Sequence, residues 1–215
     1  MNNFHYIAVE GVLGAGKTTF SKMLAEDLKA KAVLEQVDNN PFLEKFYKDM
    51  GGYAFQTQLF FLINRIKQQE PLKQMDLFDS GIVADYILDK DRLFAYVTLE
   101  ENELALYEKI HKAVVDEGSL LKPDLVIYLQ ASVETLMERI KKRGRKYEKT
   151  INKDYISELS EAYNYFFSHF PRTTPLVIVN TDEVDFVNDR KAYELIRDYV
   201  LNIKGGINYY TPRMR

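Results

Sequence analysis

The sequence predicts an α/β fold in which a parallel β-sheet carries helices on both faces. Short apolar runs rich in β-branched residues alternate with longer stretches of helical periodicity along most of the 215 residues. Glycine, proline and aspartate residues separate the two kinds of segment. Because strands joined by helices run parallel within one sheet, we expect five parallel strands in a single domain at residues 1–203. The remaining segment, 204–215, is predicted to be a tail that is flexible or docked on a partner.

The predicted elements follow one another in a regular order. Strands are expected at residues 6–9, 32–36, 82–84, 124–129 and 176–179, where Val, Ile, Leu and Ala cluster. Helices are expected at residues 18–31, 41–49, 53–69, 89–96, 101–115, 133–142, 153–167 and 186–203, where apolar residues recur with helical spacing. The pair Gly51-Gly52 is expected to separate the second helix from the third.

The composition is that of an ordinary globular domain, with 46% hydrophobic and 28% charged residues. A formal net charge of −3 argues against a nucleic-acid-binding protein, whose surface is normally basic. The absence of cysteine excludes disulfides and thiolate metal sites. No apolar run approaches the roughly 18 residues of a membrane span, and the polar start MNNFHYIAVE is unlike a signal peptide. We therefore expect a cytoplasmic protein that binds neither membranes nor nucleic acid.

Residues 10–19, EGVLGAGKTT, lie between the first predicted strand and the first predicted helix. They fit the P-loop pattern G-x-x-x-x-G-K-[ST] in the strand–turn–helix context that this pattern requires. In such loops backbone N–H groups surround phosphate oxygens, the lysine reaches the β- and γ-phosphates, and the hydroxyl is a Mg²⁺ ligand. The sequence therefore predicts binding of a nucleoside triphosphate by Gly11, Gly14, Ala15, Gly16, Lys17, Thr18 and Thr19.

Acidic residues occur at the ends of three predicted strands, where parallel sheets bind their ligands. Glu10 follows the first strand, Glu35 and Asp38 lie at the end of the second, and Asp85 follows the third. We expect these carboxylates to converge on the phosphate site, although a solvated acidic rim would produce the same pattern.

A basic segment ends the helix predicted at residues 133–142. Arg139, Arg143 and Arg145 fall within seven residues, and Gly144 interrupts them. Opposite a P-loop, such a segment can close over phosphates as a lid and stabilise charge in the transition state. The alternative is a solvated helix end whose cations simply favour the helix dipole.

Five stretches together resemble the deoxynucleoside kinase family, particularly its bacterial deoxyadenosine and deoxyguanosine kinases. They are EGVLGAGKTT, LEQVDNNPFLEKFYKD, YAFQTQLFFLINR, DYILDKDRLFA and RIKKRGRKYE, in family order. The resemblance covers most of residues 4–148 and implies a P-loop nucleoside kinase fold with an arginine-bearing lid at about residues 143–149. It also implies an enzyme of nucleotide salvage that transfers the γ-phosphoryl group of ATP to the 5′-hydroxyl of a deoxynucleoside, using Mg²⁺.

The resemblance implies a role for each matched residue of the catalytic centre. Glu35 would take the proton of the 5′-hydroxyl, a task that suits a carboxylate because it accepts a hydrogen bond and orients the nucleophile. Thr18 and Asp85 would hold Mg²⁺. The implied catalytic residues are Lys17, Glu35, Asp85 and Arg143, and the residues that contact ATP outside the P-loop are Arg139, Arg143 and Arg145.

The resemblance also implies how a deoxynucleoside is bound. Tyr47 and Glu148 would bind the sugar 3′-hydroxyl, and Gln58, Arg65 and Asp91 would surround the base, with Glu35 and Asp85 near the reacting oxygen. These groups favour a purine, deoxyadenosine or deoxyguanosine, and leave deoxycytidine open because cytosine also carries an amino group. The alternative for Arg65 and Asp91 is that they merely pair with each other.

The chain departs from the family at one position of interest. Many members carry Asp-Arg-Ser or Glu-Arg-Ser where this chain reads Asp85-Tyr86-Ile87. The missing arginine would contact the catalytic glutamate and a phosphate. Lys90 and the lid arginines are the cations that could replace it.

Two other functions remain open from the sequence. A nucleoside monophosphate kinase of the thymidylate kinase type shares the P-loop and the lid, but the acids at the strand ends would repel an acceptor phosphate. A nucleotide-dependent switch needs a base-specificity loop such as N-K-x-D, which NTDEVD does not supply. The family resemblance further implies a homodimer packed through the helices at 53–69 and 101–115, and inhibition by an end-product deoxynucleoside triphosphate.

Overall fold

The computed structural model describes residues 4–72, 81–115 and 120–213. Strands lie at Tyr6–Glu10 (β1), Lys31–Val33 (β2), Ile82–Ala84 (β3), Leu125–Gln130 (β4), Leu176–Asn180 (β5) and Ile207–Tyr210 (β6). Helices lie at Lys17–Leu28 (α1), Leu43–Lys48 (α2), Met50–Leu72 (α3), Lys90–Thr98 (α4), Glu101–Val114 (α5), Val133–Arg143 (α6), Lys153–Ser168 (α7) and Arg190–Leu201 (α8). Within these described ranges, 3₁₀ segments lie at Val37–Asn39 and Lys146–Thr150.

The described strands form one parallel sheet in the order β2-β3-β1-β4-β5-β6. Every residue of β1 and β3 is buried, and because successive side chains of a strand point to opposite faces, both faces of the sheet are covered. The predicted α/β class is confirmed. The chain passes from β1 to β2 and β3 on one side and reaches β4 on the other, so the carboxyl end of β1 lies at a switch point where such sheets bind ligands.

The sheet has one strand more than the five predicted, within the described part of the chain. Residues Ile207–Tyr210 belong to the segment expected to be a flexible or docked tail, yet they pair in parallel with β5. Gly205 and Gly206 adopt positive φ angles of 126° and 71° in the turn before this strand, and the Tyr210 ring stacks on Tyr199 at 3.9 Å. The edge of β5 supplies the hydrogen-bond partners for a segment whose short length gives only a weak strand pattern.

The boundary between α2 and α3 also differs from the prediction. Gly51 and Gly52 do not break a helix but lie in the first turn of α3. The break falls at Asp49, whose backbone is not helical, and whose Oδ1 accepts a hydrogen bond from the Gly52 N–H at 3.1 Å. A side chain thus satisfies one of the free amides of the first turn, which is the role of an N-cap.

A second, smaller apolar cluster joins α3, α4 and α5. It contains Leu62 of α3, Ala95 of α4 and Tyr107 of α5, all fully buried. This packing holds α3 and α4 against each other, so polar side chains from both helices meet beside the end of β1.

No helix in the described ranges is long and apolar enough to cross a membrane.

Candidate active site

The P-loop leads from the buried end of β1 into α1. Gly16 has a φ of 92°, and a Cβ at this position would lie 2.6 Å from the ring of Phe186. A Cβ on Gly11 would lie 2.5 Å from the backbone oxygen of Leu129. Both positions therefore require glycine. In the described structure no side chain caps the start of α1, so the N–H groups of its first turn are available to an anion.

The Lys17 ammonium folds back onto the loop. It donates to the backbone oxygens of Gly11 at 2.7 Å and Val12 at 3.3 Å. Burial, together with the nearby charge of Lys90, lowers the pKa of Lys17 to about 8. Neutral carbonyls are weaker partners for a cation than an anionic phosphate oxygen, so this lysine is suited to bind phosphate.

Asp85 follows β3 directly and joins the P-loop to the segment after β2. Its Oδ2 accepts a hydrogen bond from the Thr18 hydroxyl at 2.6 Å, and its Oδ1 accepts one from the Glu35 N–H at 2.7 Å. Thr18 and Asp85 therefore supply two adjacent hard oxygen donors, which is the kind of partial ligand set that Mg²⁺ completes with phosphate oxygens and water. Among the described residues no cluster of three or more acidic or histidine side chains forms a metal site by itself.

The Glu35 carboxylate is held by two cations. Arg65 donates to Oε1 through Nε at 2.8 Å and through a second guanidinium nitrogen, and Lys90 donates to Oε2 at 3.2 Å. Burial by itself would raise the pKa of this carboxyl, but the charges of Arg65 and Lys90 outweigh it and lower the pKa of Glu35 to about 2. Glu35 is therefore ionised at neutral pH and fixed in orientation.

A pocket beside Glu35 is enclosed mainly by side chains of α2, α3, α4 and α7. Its lining is mostly apolar with a few polar groups, as in sites for small molecules. The lining residues are Leu13, Lys17, Glu35, Val37, Leu43, Phe46, Tyr47, Thr57, Gln58, Phe61, Arg65, Lys90, Phe94, Tyr155 and Leu159. Gln58 donates through Nε2 to the Thr98 hydroxyl at 3.3 Å, which leaves its amide oxygen and one N–H for another partner.

Arg65 also contacts Asp91, a fully buried residue in the first turn of α4. Asp91 does not line the pocket, whereas Arg65 does. The sequence left two interpretations open, contacts of Arg65 and Asp91 with the base or an ion pair between them, and the structure contains the ion pair. The pair joins α3 to α4 and sets the guanidinium between two carboxylates, those of Glu35 and Asp91.

The predicted lid comprises the end of α6 and the 3₁₀ segment Lys146–Thr150. Arg143 binds the buried Glu148 with two hydrogen bonds, of 3.0 Å to Oε2 and 2.7 Å to Oε1. Arg145 lies 3.7 Å from the same carboxylate and 3.6 Å from Asp38. The lid thus rests on the segment after β2, which also carries Glu35.

Tyr47 connects the pocket to the lid. Its ring lies parallel to that of Tyr147, with centroids 6.1 Å apart, and Tyr147 in turn donates to Asp38 at 2.5 Å. Burial, then the neighbouring Tyr155 and Glu148, raises the pKa of Tyr47 well above its usual value. Tyr47 therefore remains a neutral hydroxyl that can donate a hydrogen bond into the pocket.

Arg139 lies apart from the other two arginines. Its guanidinium donates to the Thr181 hydroxyl at 3.0 Å, to the Thr181 backbone oxygen at 2.6 Å and to the Val184 backbone oxygen at 3.3 Å. It lines a second depression together with four P-loop residues, Gly14, Ala15, Gly16 and Thr19. Two of the predicted arginines therefore belong to the lid, and the third belongs to the wall beside the P-loop.

Some polar residues of the site received no role from the sequence. The buried Thr57 hydroxyl lines the pocket and has no hydrogen-bond partner among the described residues. Thr98 orients the Gln58 amide. Both threonines lie on helices whose periodicity gives no signal for such a contact. In the sequence, each threonine shows only as a polar residue among the apolar residues of its helix, which does not indicate its partner.

Known proteins match this chain over nearly its whole length. The sequence model of the family described as "Deoxynucleoside kinase" matches residues 7–203. The chain is 37% identical over 204 residues to a deoxyguanosine kinase of Bacillus subtilis (strain 168), covering 93% of this chain and 98% of that protein. It is 32% identical over 203 residues to a deoxyadenosine/deoxycytidine kinase of the same organism, covering 92% of each.

Solved structures lead to the same family. The fold is similar to that of a deoxyadenosine kinase from M. mycoides with the products dCMP and dCDP bound, with a TM-score of 0.78 and 32% identity over 92% of this chain and 100% of that chain. Sequence and structure comparisons thus agree on the family. The chain belongs to the deoxynucleoside kinase family.

Proposed function

We propose that this deoxynucleoside kinase transfers the γ-phosphoryl group of ATP to the 5′-hydroxyl of a purine deoxynucleoside. The observation that carries the proposal is the Glu35 carboxylate, which is ionised, clamped by Arg65 and Lys90, and linked through Asp85 to the P-loop. A hydroxyl of a molecule in the adjoining pocket would meet this carboxylate beside the phosphate-binding loop. Such an arrangement orients a nucleophile for phosphoryl transfer.

The acceptor in this proposal is an uncharged nucleoside. The charged residues that line the pocket are Glu35, Lys17, Arg65 and Lys90. Arg65 and Lys90 are already paired with the carboxylates of Glu35, Asp91 and Glu10, and Lys17 is directed at the P-loop. Because Lys17 binds a phosphate of ATP in the proposed reaction, an acceptor phosphate would lie beside the Glu35 carboxylate while the cations that line the pocket are all engaged. This charge pattern favours a nucleoside over the monophosphate that a thymidylate-kinase-type enzyme takes.

In the proposed reaction Glu35 accepts a hydrogen bond from the 5′-hydroxyl and receives its proton as the phosphoryl group leaves ATP. Because its pKa is low, Glu35 is a weak base that orients the hydroxyl rather than deprotonating it in advance. Lys17 and Arg143 bind phosphate oxygens and stabilise the charge that develops on them. Thr18 and Asp85 are the residues that fit Mg²⁺, which neutralises phosphate charge when it is bound.

The base preference rests on Gln58 and Arg65. The free amide groups of Gln58 match the adjacent donor and acceptor of an adenine edge, and a guanidinium is a good donor to the O6 or N7 atom of guanine. Asp91 holds Arg65, and a direct contact of Asp91 with a base amino group stays a prediction. The relatives named for deoxyguanosine and for deoxyadenosine and deoxycytidine support this range of bases.

The rest of the proposal concerns the sugar, the regulation and the assembly. Tyr47 and Glu148 bind the 3′-hydroxyl, and Arg139 and Arg145 help to hold ATP. An end-product deoxynucleoside triphosphate inhibits by filling the acceptor pocket and the P-loop together, which is supported by the M. mycoides enzyme having been solved with bound dATP and with bound dCTP. The enzyme acts in the cytoplasm as a homodimer. Competition kinetics in which no such triphosphate inhibits would contradict the regulatory part.

The test is a panel of acceptors with ATP and Mg²⁺. We expect deoxyadenosine and deoxyguanosine to give the highest kcat/KM, deoxycytidine a lower value, and thymidine the lowest, because thymine has no exocyclic amine. Thymidine monophosphate as the best acceptor would favour the monophosphate kinase, and ATP turnover that depends on a protein rather than a nucleoside would favour a switch. Thymidine as the best nucleoside would show that the pocket does not recognise a purine.

A further inference from the structure

Lys90, the first residue of α4, is a buried cation between two carboxylates, that of Glu10 at the end of β1 and that of Glu35 after β2. Only 3% of its surface is exposed, and its ammonium lies 3.2 Å from Glu35 Oε2 and 3.6 Å from Glu10 Oε1. The same ammonium lies 5.7 Å from the centroid of the Tyr86 ring. A lysine buried to this extent is stable only when its charge is compensated, so its position is set by these partners.

Glu10 is anchored independently of Lys90. Its Oε1 accepts the Ile87 N–H at 2.8 Å, and its Oε2 accepts the Gly11 N–H at 3.1 Å and the Tyr163 hydroxyl at 3.2 Å. The carboxylate is thus fixed by the P-loop, by the segment before α4 and by α7. A fixed carboxylate at this point holds the Lys90 ammonium where it can reach Glu35.

The two oxygens of Glu35 have different partners. Arg65 binds Oε1, whereas Lys90 is the described cation that binds Oε2. Lys17 also lies close enough to influence Glu35, but its hydrogen bonds go to the P-loop backbone. Without Lys90, the carboxylate would keep one clamped oxygen and could rotate about it.

We propose that Lys90 is a positioning residue that holds Glu35 in the orientation that accepts the 5′-hydroxyl. The Tyr86 ring lies beside the ammonium and forms one wall of the space that it occupies. Lys90 acts through Glu35 and not on the phosphates, since its hydrogen bond goes to a carboxylate. This inference rests on the role of Glu35 in the proposed function.

The first test separates turnover from binding. Lys90→Met keeps the length of the side chain and removes its charge, so we expect kcat to fall about 10-fold or more with little change in nucleoside KM or in the ATP dissociation constant. Lys90→Arg retains a cationic donor and should recover most of the lost kcat. Lys48→Met removes an exposed lysine on α2 and serves as the control, with unchanged kinetics. Normal kcat in Lys90→Met would overturn the proposal.

The second test is a double-mutant cycle with Glu35→Gln. When the glutamate is absent there is nothing for Lys90 to position, so adding Lys90→Met should change kcat by less than about 3-fold. A loss of equal size in both backgrounds would mean that Lys90 acts elsewhere and would sink the inference. Unchanged kcat in Glu35→Gln alone would instead remove Glu35 from the mechanism, and the two failures are therefore distinguishable.

Folding is checked by thermal unfolding of each variant. If Lys90→Met does not fold, Glu10→Gln tests the same role by changing the other partner of Lys90. The glutamine keeps the shape of the Glu10 side chain but removes the charge that holds the Lys90 ammonium. It should lower kcat in the wild-type background and leave kcat nearly unchanged in the Glu35→Gln background. An equal effect in both backgrounds counts against the positioning role.

Discussion

Among single residues, Glu35 combines burial with an ionised state because two cations reach it from α3 and α4. We expect Glu35→Gln to lower kcat by about 100-fold or more, the usual scale for a positioned general base, and to change nucleoside affinity much less. The amide has the same shape but cannot receive the hydroxyl proton. Steady-state kinetics measures the change in kcat, and equilibrium binding of the nucleoside measures the change in affinity. Glu44→Gln, on the exposed face of α2, is the matched control, and near-normal turnover in Glu35→Gln would exclude the assigned role.

Tyr47 is the residue that we expect to discriminate against ribonucleosides. Its buried, neutral ring would lie against C2′ if its hydroxyl and Glu148 hold the 3′-hydroxyl from two sides. A ribose 2′-hydroxyl would then be desolvated against a ring that accepts hydrogen bonds poorly, at a cost of about 1–3 kcal/mol. We therefore expect kcat/KM for adenosine to be roughly 10- to 100-fold below that for deoxyadenosine. Equal use of the two nucleosides would rule out this contact, and 2′,3′-dideoxyadenosine, compared with deoxyadenosine, tests the 3′-hydroxyl contact itself.

At the level of elements, the lid is held closed by Arg143, which ends α6 and donates two hydrogen bonds to Glu148. We expect Arg143→Ala to lower kcat and kcat/KM together while the ATP dissociation constant changes little, because the arginine acts on charge that develops in the transition state. Lys141→Ala, an exposed residue of the same helix, controls for the loss of a cation. Weaker ATP binding with normal kcat would instead make Arg143 a clamp on the ground state.

A second pair of elements, α1 and α8, is joined by Asp27. Its carboxylate accepts hydrogen bonds from Arg190 and Arg197, both at 2.7 Å, and from the Tyr193 hydroxyl at 3.0 Å. Partial burial raises the pKa of Asp27, but these donors outweigh it and lower the pKa from 3.8 to about 2. The folded-state pKa lies below the unfolded one, so the contact stabilises the fold above about pH 4, and this contribution is lost as the pH falls toward 2.

We expect Asp27→Asn to reduce the free energy of unfolding by about 1–2 kcal/mol at pH 7, a value that allows for solvent screening of the partly exposed arginines. Urea unfolding at several pH values measures the effect, and the difference from the wild type should shrink between pH 4 and pH 3. Glu44→Gln, in an exposed ion pair, should leave stability nearly unchanged. A loss that stays constant over this pH range would mean that packing, and not charge, accounts for the effect.

For the whole molecule, the sequence predicted what depends on local pattern and missed what depends on distant partners. The P-loop and the β/α order were predicted because glycine spacing and apolar periodicity act within about ten residues. The sequence left Lys90 and the lid arginines as alternative partners of Glu35, and the structure has Lys90 there. That choice depends on a distant contact, since Lys90 and Glu10 lie 80 positions apart and meet only when α4 packs beside β1. In the same way β6 exists because β5 offers an edge, which the short segment Ile207–Tyr210 does not reveal by itself.

We expect the assembly of the molecule to depend on apolar side chains that its helices expose. A homodimer packed through α3 and α5 was expected, and these helices expose Ile63 (42%) and Leu106 (49%). Burying such side chains against a second copy would remove apolar surface from water, and a charge placed there would be desolvated without a partner. We expect light scattering at micromolar concentration to give a dimer for the wild type and a monomer for Ile63→Glu/Leu106→Glu.

The matched control lies on another exposed face, the groove between α4 and α7, where Tyr165 is 70% exposed. Tyr165→Glu should remain dimeric if α3 and α5 form the interface. A monomer in Tyr165→Glu together with a dimer in the double variant would move the interface to the α4–α7 groove, because only the buried face is sensitive to a new charge. A monomeric wild-type protein would contradict the homodimer altogether, and the acceptor pocket, built here from one chain, would then act without a second copy.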